Sequence, residues 1–290
     1  MNHSKLHPIA LLLLCAGLTA CESAQLDVDL TVGGAIDIER LRGQVAAVEL
    51  LDDTGSLHSL DLASDDTEDF TDYRDGSNLQ LANAAKLPAG HYTGLRLRLA
   101  GSPSLRLEDG NEYTLTQSAD GPFAALDLTL KDGDSAAVLA RLDLRFSLSD
   151  LRASTSTFEF QPVLTAYEAS DGASVEGGVS TSALDANGCR SNGSLVAGAA
   201  IYAFASGSAS LGDYSRDRSP NPIASTRVTL DDDGEGYVYA LPTLAEGSYR
   251  LALTCAADSD APSSYNSLNF TNARSITLDT GDAETLAIGG

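Results

Sequence analysis

Two Asp-Thr-Gly tripeptides, Asp53-Thr54-Gly55 and Asp279-Thr280-Gly281, are the residues of this chain whose types come nearest to catalytic chemistry. Brought face to face, two carboxylates share one proton, their pKa values separate, and the pair can activate water. Such a pair needs a strand-rich lobe behind each loop, and only nine residues follow Gly281. Both tripeptides lie between alternating segments, where Asp-x-Gly is turn chemistry, so both are expected to be turns. His58 and His91 are the only histidines beyond residue 20, and a nucleophilic triad would need one of them. His58 follows a turn and His91 opens a strand, so both are expected at the surface. The chain has no Gly-x-Ser-x-Gly elbow, no His-Glu-x-x-His pair and no P-loop. No catalytic residue, metal ligand or cofactor is assigned, and the chain is expected not to be an enzyme.

Carboxylates supply the remaining candidate chemistry. Asp231-Asp232-Asp233-Gly234-Glu235 puts four of them in five positions, and Asp65, Asp66, Glu68, Asp69 and Asp72 gather between Asp61 and Asp75. Calcium takes several oxygen ligands at roughly 2.3–2.6 Å, which such loops can offer. The first run lacks the alternate-position spacing and distal Glu of a helix-loop-helix site. A solvated turn is therefore expected there, with calcium binding as the alternative. Over 290 residues, 41 Asp and Glu face 18 Lys and Arg, a net charge of −23. That charge repels phosphate backbones and anionic headgroups, which argues against nucleic-acid binding and electrostatic membrane docking. With no Trp and only seven Phe, a stacking platform for bases or sugars is not expected either. Fifteen Arg to three Lys, amid so much Asp, reads as a hydrated acidic surface adapted to salt.

The N-terminus reads as a secretory signal over residues 1–20. Lys5 precedes an apolar run from Ile9 to Leu18, about half the roughly 20 residues that a membrane span needs. Leu18-Thr19-Ala20-Cys21 resembles the bacterial lipobox, which implies cleavage after Ala20 and acylation of Cys21 on its sulfur and its new amino group. Two or more acyl chains anchor stably where one does not. The alternative is an ordinary signal peptide that leaves Cys21 as a free thiol. Glu22 after the cysteine resembles an outer-membrane sorting signal of Gram-negative bacteria. Of four cysteines, Cys15 leaves with the signal and Cys21 carries lipid. Cys189 and Cys255, 66 residues apart, are expected to form a disulfide, with two buried thiols as the alternative.

Beyond the anchor the hydrophobic period is two. Leu26–Val32, Leu95–Leu99, Leu126–Leu130, Leu142–Leu148 and Phe158–Phe160 all alternate, with Gly- and Asp-rich turns between them. The fold class expected is all-β: two antiparallel β-sandwich-like domains in tandem after the signal. Residues 21–24 are the lipidated tether, 25–168 the first domain, 169–173 a small polar linker and 174–290 the second domain. The polar segment 206–221 reads as a flexible loop inserted into the second domain.

Two resemblances follow from particular residues. Leu87-Pro88-Ala89-Gly90-His91-Tyr92-Thr93-Gly94-Leu95-Arg96-Leu97 and Phe158-Glu159-Phe160-Gln161-Pro162-Val163-Leu164 resemble motifs of the bacterial lipoprotein family called domain of unknown function 4382. That family implies an envelope address and no established reaction. Val175-Glu176-Gly177-Gly178-Val179, Val196–Ala203, Asp233–Tyr237 and Leu244–Leu251 resemble the carboxypeptidase regulatory-like, or transthyretin-like, sandwich. That fold implies a non-catalytic stalk or interaction module. Together these lead to a membrane-anchored, non-catalytic binding or scaffolding lipoprotein in a Gram-negative envelope. Its membrane contact is the acyl group on Cys21, and a protein partner is expected whose identity stays open. The alternative is a calcium-dependent or carbohydrate-binding surface protein.

Overall fold

A computed structural model describes residues 23–74, 76–108, 110–117, 121–149, 157–208, 210–265 and 267–289. Residues 1–20, expected to be a signal, and Cys21, expected to carry lipid, lie outside the described residues. The first unit contains β1 (Ala24–Gly33), β2 (Arg40–Asp52), β3 (Leu57–Ser59), β4 (Thr67–Asp69), β5 (Leu79–Leu87), β6 (Gly90–Arg106), β7 (Glu112–Gln117), β8 (Ala124–Leu130), β9 (Ser135–Asp143), α1 (Leu144–Ser147), β10 (Thr157–Phe160) and β11 (Leu164–Glu168). The second contains β12 (Gly172–Gly178), α2 (Thr181–Ala186), β13 (Arg190–Ser191), β14 (Ser194–Leu195), β15 (Ala200–Ala205), β16 (Ala224–Arg227), β17 (Thr229–Leu230), β18 (Tyr237–Ala245), β19 (Gly247–Thr254), β20 (Thr271–Leu278) and β21 (Ala283–Thr285). The fold is all-β.

Alternation produces this directly. Along β8 every second side chain is buried, and β1 buries Ala24, Leu26, Val28, Leu30 and Val32 from one face. The sheet β11-β9-β1-β5 packs these against the sheet β10-β7-β6-β2-β3, to which β4 and β8 add. In the second unit the sheets β17-β18-β12-β21 and β16-β15-β19-β20 enclose a separate core that includes Val175, Leu241, Ile201 and Leu251. Most pairings are antiparallel, but β1–β9, β7–β10 and β12–β21 are parallel. In each case the chain crosses through other strands before returning to its neighbour, so it arrives in the same direction.

Three segments differ from their sequence reading. The alternation Leu142–Leu148 does not continue as a strand. β9 ends at Asp143, whose carboxylate accepts the backbone N–H groups of Arg145 and Phe146 and caps the single turn α1. Residues 169–171 form a 3-10 turn that runs straight into β12 at Gly172. The insertion 206–221 is not a solvated loop. Ser208, Asp213, Tyr214 and Ser215 are buried, and the Tyr214 ring stacks on Phe146 of the first unit at 4.7 Å. Its polar composition conceals one aromatic anchor, which is enough to dock it.

Candidate functional site

The two units meet around Ser225, at the start of β16. Its backbone N–H donates to Asp143 Oδ2 at 2.7 Å and its hydroxyl donates to the same carboxylate at 2.9 Å. Its carbonyl accepts from Arg141 Nη2 at 2.8 Å and from the Gly34 N–H at 3.1 Å, and its Oγ accepts from the Ala35 N–H at 2.9 Å. Arg141 Nη1 reaches Thr243 Oγ1 at 3.4 Å. All of this lies out of water. Burial pushes the Asp143 carboxyl up, against the pull of the Arg141 guanidinium and the donors of Ser225 and Phe146.

Two glycines make the approach possible. A Cβ on Gly33 would stand 2.1 Å from Arg141 Nη2, and one on Gly34 2.7 Å from the amides of Leu144 and Arg145. Gly34 also has φ +119°, which side-chain-bearing residues rarely adopt.

A second layer surrounds that joint. Phe146 meets Tyr202 edge-on at 5.6 Å and stacks on Tyr214, while Tyr202 and Phe204 pack on Phe270. The Tyr202 hydroxyl donates to Asp260 Oδ2 at 2.8 Å, and the Tyr214 N–H points at the same oxygen from 3.4 Å. Burial raises the Asp260 carboxyl to about 7, despite the Tyr202 hydrogen bond and the nearby Arg145 charge. The same burial raises the Tyr202 phenol.

Beside the joint, the outer face of β17-β18-β12-β21 forms an open trough. Three hollows of about 480, 330 and 330 Å³ adjoin there and share Ala240 in their walls. The outward positions are Ser174, Glu176 and Gly178 on β12 and Val238, Ala240 and Pro242 on β18, of which Ser174, Gly178 and Ala240 are too short to fill the space above the sheet. Arg74 and Arg227 line the end at the junction, and Asp231 and Asp232 the other end. Arg227 is itself ion-paired with Asp37 and lies 3.7 Å from Glu108. The lining holds no His, Cys or Lys, so the trough presents shape and a charge gradient and no nucleophile–base pair.

The residues singled out in the sequence stand elsewhere. Cys189 and Cys255 form a disulfide with Cα atoms 4.7 Å apart, tying the segment after α2 to the end of β19. Asp53-Thr54-Gly55 and Asp279-Thr280-Gly281 are turns in different units, with Gly55 and Gly281 at φ +85° and +78°. The organising carboxylate of the first turn is Asp52. It accepts from the N–H groups of Thr54 and Ser56 at 2.9 and 2.8 Å, from the Thr54 hydroxyl, and pairs with His58 Nε2 at 2.8 Å. The His58 imidazole, with those donors, holds the Asp52 carboxyl well below the usual carboxylate range. Both hydroxyls are spent on that turn, Thr54 on the carboxylate and Ser56 on Thr54, so the group is no catalytic triad.

His91 is partly exposed and pairs with Asp127 at 2.8 Å, while its backbone carbonyl accepts the Asp53 N–H. The acidic runs close on their own backbones. Asp231 accepts the Glu235 N–H at 2.9 Å, and Asp69 accepts from Thr71 at the head of a 3-10 turn. No group of three or more metal-ligating side chains converges among the described residues. Sequence reasoning missed Asp143, Arg141 and Ser225 altogether. The one signal for them was the doublet Gly33-Gly34 at the end of a strand, a mark of close backbone approach.

Residues 24–162 match the family described as Domain of unknown function (DUF4382), so the first unit carries that domain. No curated protein matches the chain. Among solved structures the chain is similar to the Bacillus anthracis TIE protein, at 13% identity and TM-score 0.22, over 92% of this chain and 34% of that one. It thus spans about a third of that protein's length. It is also similar to GBS52, the minor pilin of Streptococcus agalactiae, at 10% identity and TM-score 0.19, over 91% and 94% of the two chains. The fimbrial anchor protein Mfa2 of Porphyromonas gingivalis gives 11% identity and TM-score 0.17, over 84% and 82%. At TM-scores of this size the backbones do not superpose, and the likeness decides nothing about function.

Proposed function

We propose that this protein is a lipid-anchored envelope module that binds or scaffolds without catalysing, with the first unit as a foot and the second as the part it presents. The observation that carries this reading is the course of β1. It enters the core at Ala24, three residues after Cys21, and ends nine residues on at Gly33, inside the joint with the second unit. Ten extended residues at about 3.3 Å each put roughly 30 Å between the anchor and the joint. The buried polar joint then gives the second unit one orientation on its foot.

In this reading Cys21 is acylated in a Gram-negative envelope, Glu22 sends the protein to the outer membrane, and the second unit is a transthyretin-like sandwich. The trough is the surface a protein partner occupies. Two comparisons test the reading on the full chain in cells. Cys21→Ala is expected to release the protein from the membrane fraction, and continued firm attachment would sink the anchor. A cross-linked pull-down of the lipidated protein is expected to recover one stoichiometric partner that Ala240→Arg, which fills the trough, no longer recovers. Recovery unchanged by Ala240→Arg would move the binding surface elsewhere.

A further inference from the structure

We propose that the end of the first unit at which β1 begins is the face laid against the bilayer, where Lys86 and Lys131 take lipid phosphate headgroups. This rests on the acylation of Cys21 read above. The first argument is reach. Three residues at no more than about 3.6 Å each hold the Cα of Ala24 within roughly 11 Å of that of Cys21. Ala24 is fully buried and paired with Leu87, so the strand cannot be peeled back cheaply to lengthen the tether.

The second argument is what lies beside Ala24. Leu87 opens the turn 88–90 into β6, and the Gln25 N–H donates to the carbonyl of Asp134 in the turn 131–134. Gly90 pairs with Leu130, Tyr92 with Asp52, and the Asp53 N–H donates to the His91 carbonyl. The turns 53–56, 88–90 and 131–134 therefore all sit at the anchor's end, within reach of the headgroups. The second unit meets the opposite end of β1, and its acidic turn Asp231–Glu235 lies at the Tyr237 end of β18, several strand residues away from Thr243 at the joint.

The third argument is composition. Lys86 and Lys131 are the only lysines after residue 20, both are exposed, and both fall at this end of a chain of net charge −23. Neither ammonium is ion-paired among the described residues, whereas Asp52 is held by His58 and Asp127 by His91. Leu57, one of three exposed large hydrophobic residues described, stands at the same tip, 51% exposed. Ammonium groups beside apolar atoms suit the headgroup layer, where lysine stems lie along apolar surface. The same turns also carry Asp53, Asp132 and Asp134, so the acyl tether sets which end faces the bilayer and the two ammonium groups supply local headgroup contacts there.

The test uses the full lipidated chain, inserted through its acyl groups into vesicles of phosphatidylethanolamine and phosphatidylglycerol. An environment-sensitive fluorophore is placed on Ala89→Cys or on Asp232→Cys, and quenching by headgroup spin-labelled lipid is read. Quenching at position 89 is expected to exceed that at 232 severalfold, and Lys86→Glu with Lys131→Glu is expected to reduce it, as is added salt. Equal quenching at the two positions, in protein whose Cys21 is shown by mass spectrometry to be acylated, overturns the proposed face and leaves the anchor standing. Strong quenching at 89 that ignores the double charge reversal overturns the role of the lysines. An unacylated Cys21 overturns the anchor and this inference together.

Discussion

Asp52 and Asp143 stand at opposite ends of the first unit and do the same local work. Each closes a turn by accepting two backbone N–H groups, and each has a basic side chain beside it, His58 for one and Arg141 for the other. Their surroundings set them apart. Asp52 is only partly withdrawn from water, so the hydrogen bonds from His58, Thr54 and Ser56 outweigh the cost of desolvation and its carboxyl titrates low. Asp143 has lost its water to the second unit, and burial pushes the other way. A carboxylate that accepts a full set of hydrogen bonds is therefore a cheap turn former at a surface, whereas in a joint between cores it is a costly specifier of geometry.

The largest way to break this comparison is Asp143→Ala. It removes the cap of α1, leaves the Ser225 amide and hydroxyl buried without their acceptor, and takes away the negative charge that faces the buried Arg141 guanidinium. Loss of one partner of a buried charged network costs about 3–5 kcal/mol. Urea unfolding followed in both units should register it as a lower midpoint. A cost under about 1 kcal/mol, the range of an exposed pair, would mean that water reaches the joint. Gly34→Ala comes next. A backbone held at φ +119° with amides 2.7 Å from the new methyl is expected to cost about 1–3 kcal/mol, while the same change at Gly55, whose Cβ meets nothing, adds strain without collision.

A third prediction sets the two kinds of acid against each other through pH. Asp260, like Asp143, is buried at the junction, among Tyr202, Tyr214, Arg145 and Asp213, and titrates at about 7. Between roughly pH 4, where an unfolded Asp titrates, and about 7 the folded protein holds a proton that the unfolded chain releases. Its stability thus falls as pH rises through that window. The stability of the parent minus that of Asp260→Asn should fall over the same window and level off above it. Asp52 has the opposite sign, because its lowered value makes its contribution complete above roughly pH 4 and lost in stronger acid. Difference profiles of the same sign would refute the assignment of the two environments. The smallest effect is expected for Asp52→Ala at neutral pH, a shift in melting temperature below that of either junction variant.

How much of this was legible follows from where the information lies. The strand-rich class was, since alternation such as Leu126-Asp127-Leu128-Thr129-Leu130 satisfies a sheet with one wet face and nothing else as well. The pairing of Cys189 with Cys255 was the expected one of two readings, once Cys15 and Cys21 were set apart by the expected signal and lipobox, and the disulfide decides it against two buried thiols. The joint was not. Asp143 and Ser225 are 82 residues apart, both are common turn residues, and Asp143 sits inside an alternation that extends past it to Leu148. Tyr214 was hidden in the same way within a polar stretch.

By itself, then, the sequence determined which local conformations are cheap: strands by period two, and turns by Asp and Gly. The tertiary structure alone decided which of many similar carboxylates left water, and at which end of a ten-residue strand the second unit is met. The physical reason is that hydration is a property of neighbours brought together by folding. A residue's type sets what it can donate or accept, but only packing sets whether water remains to compete for it.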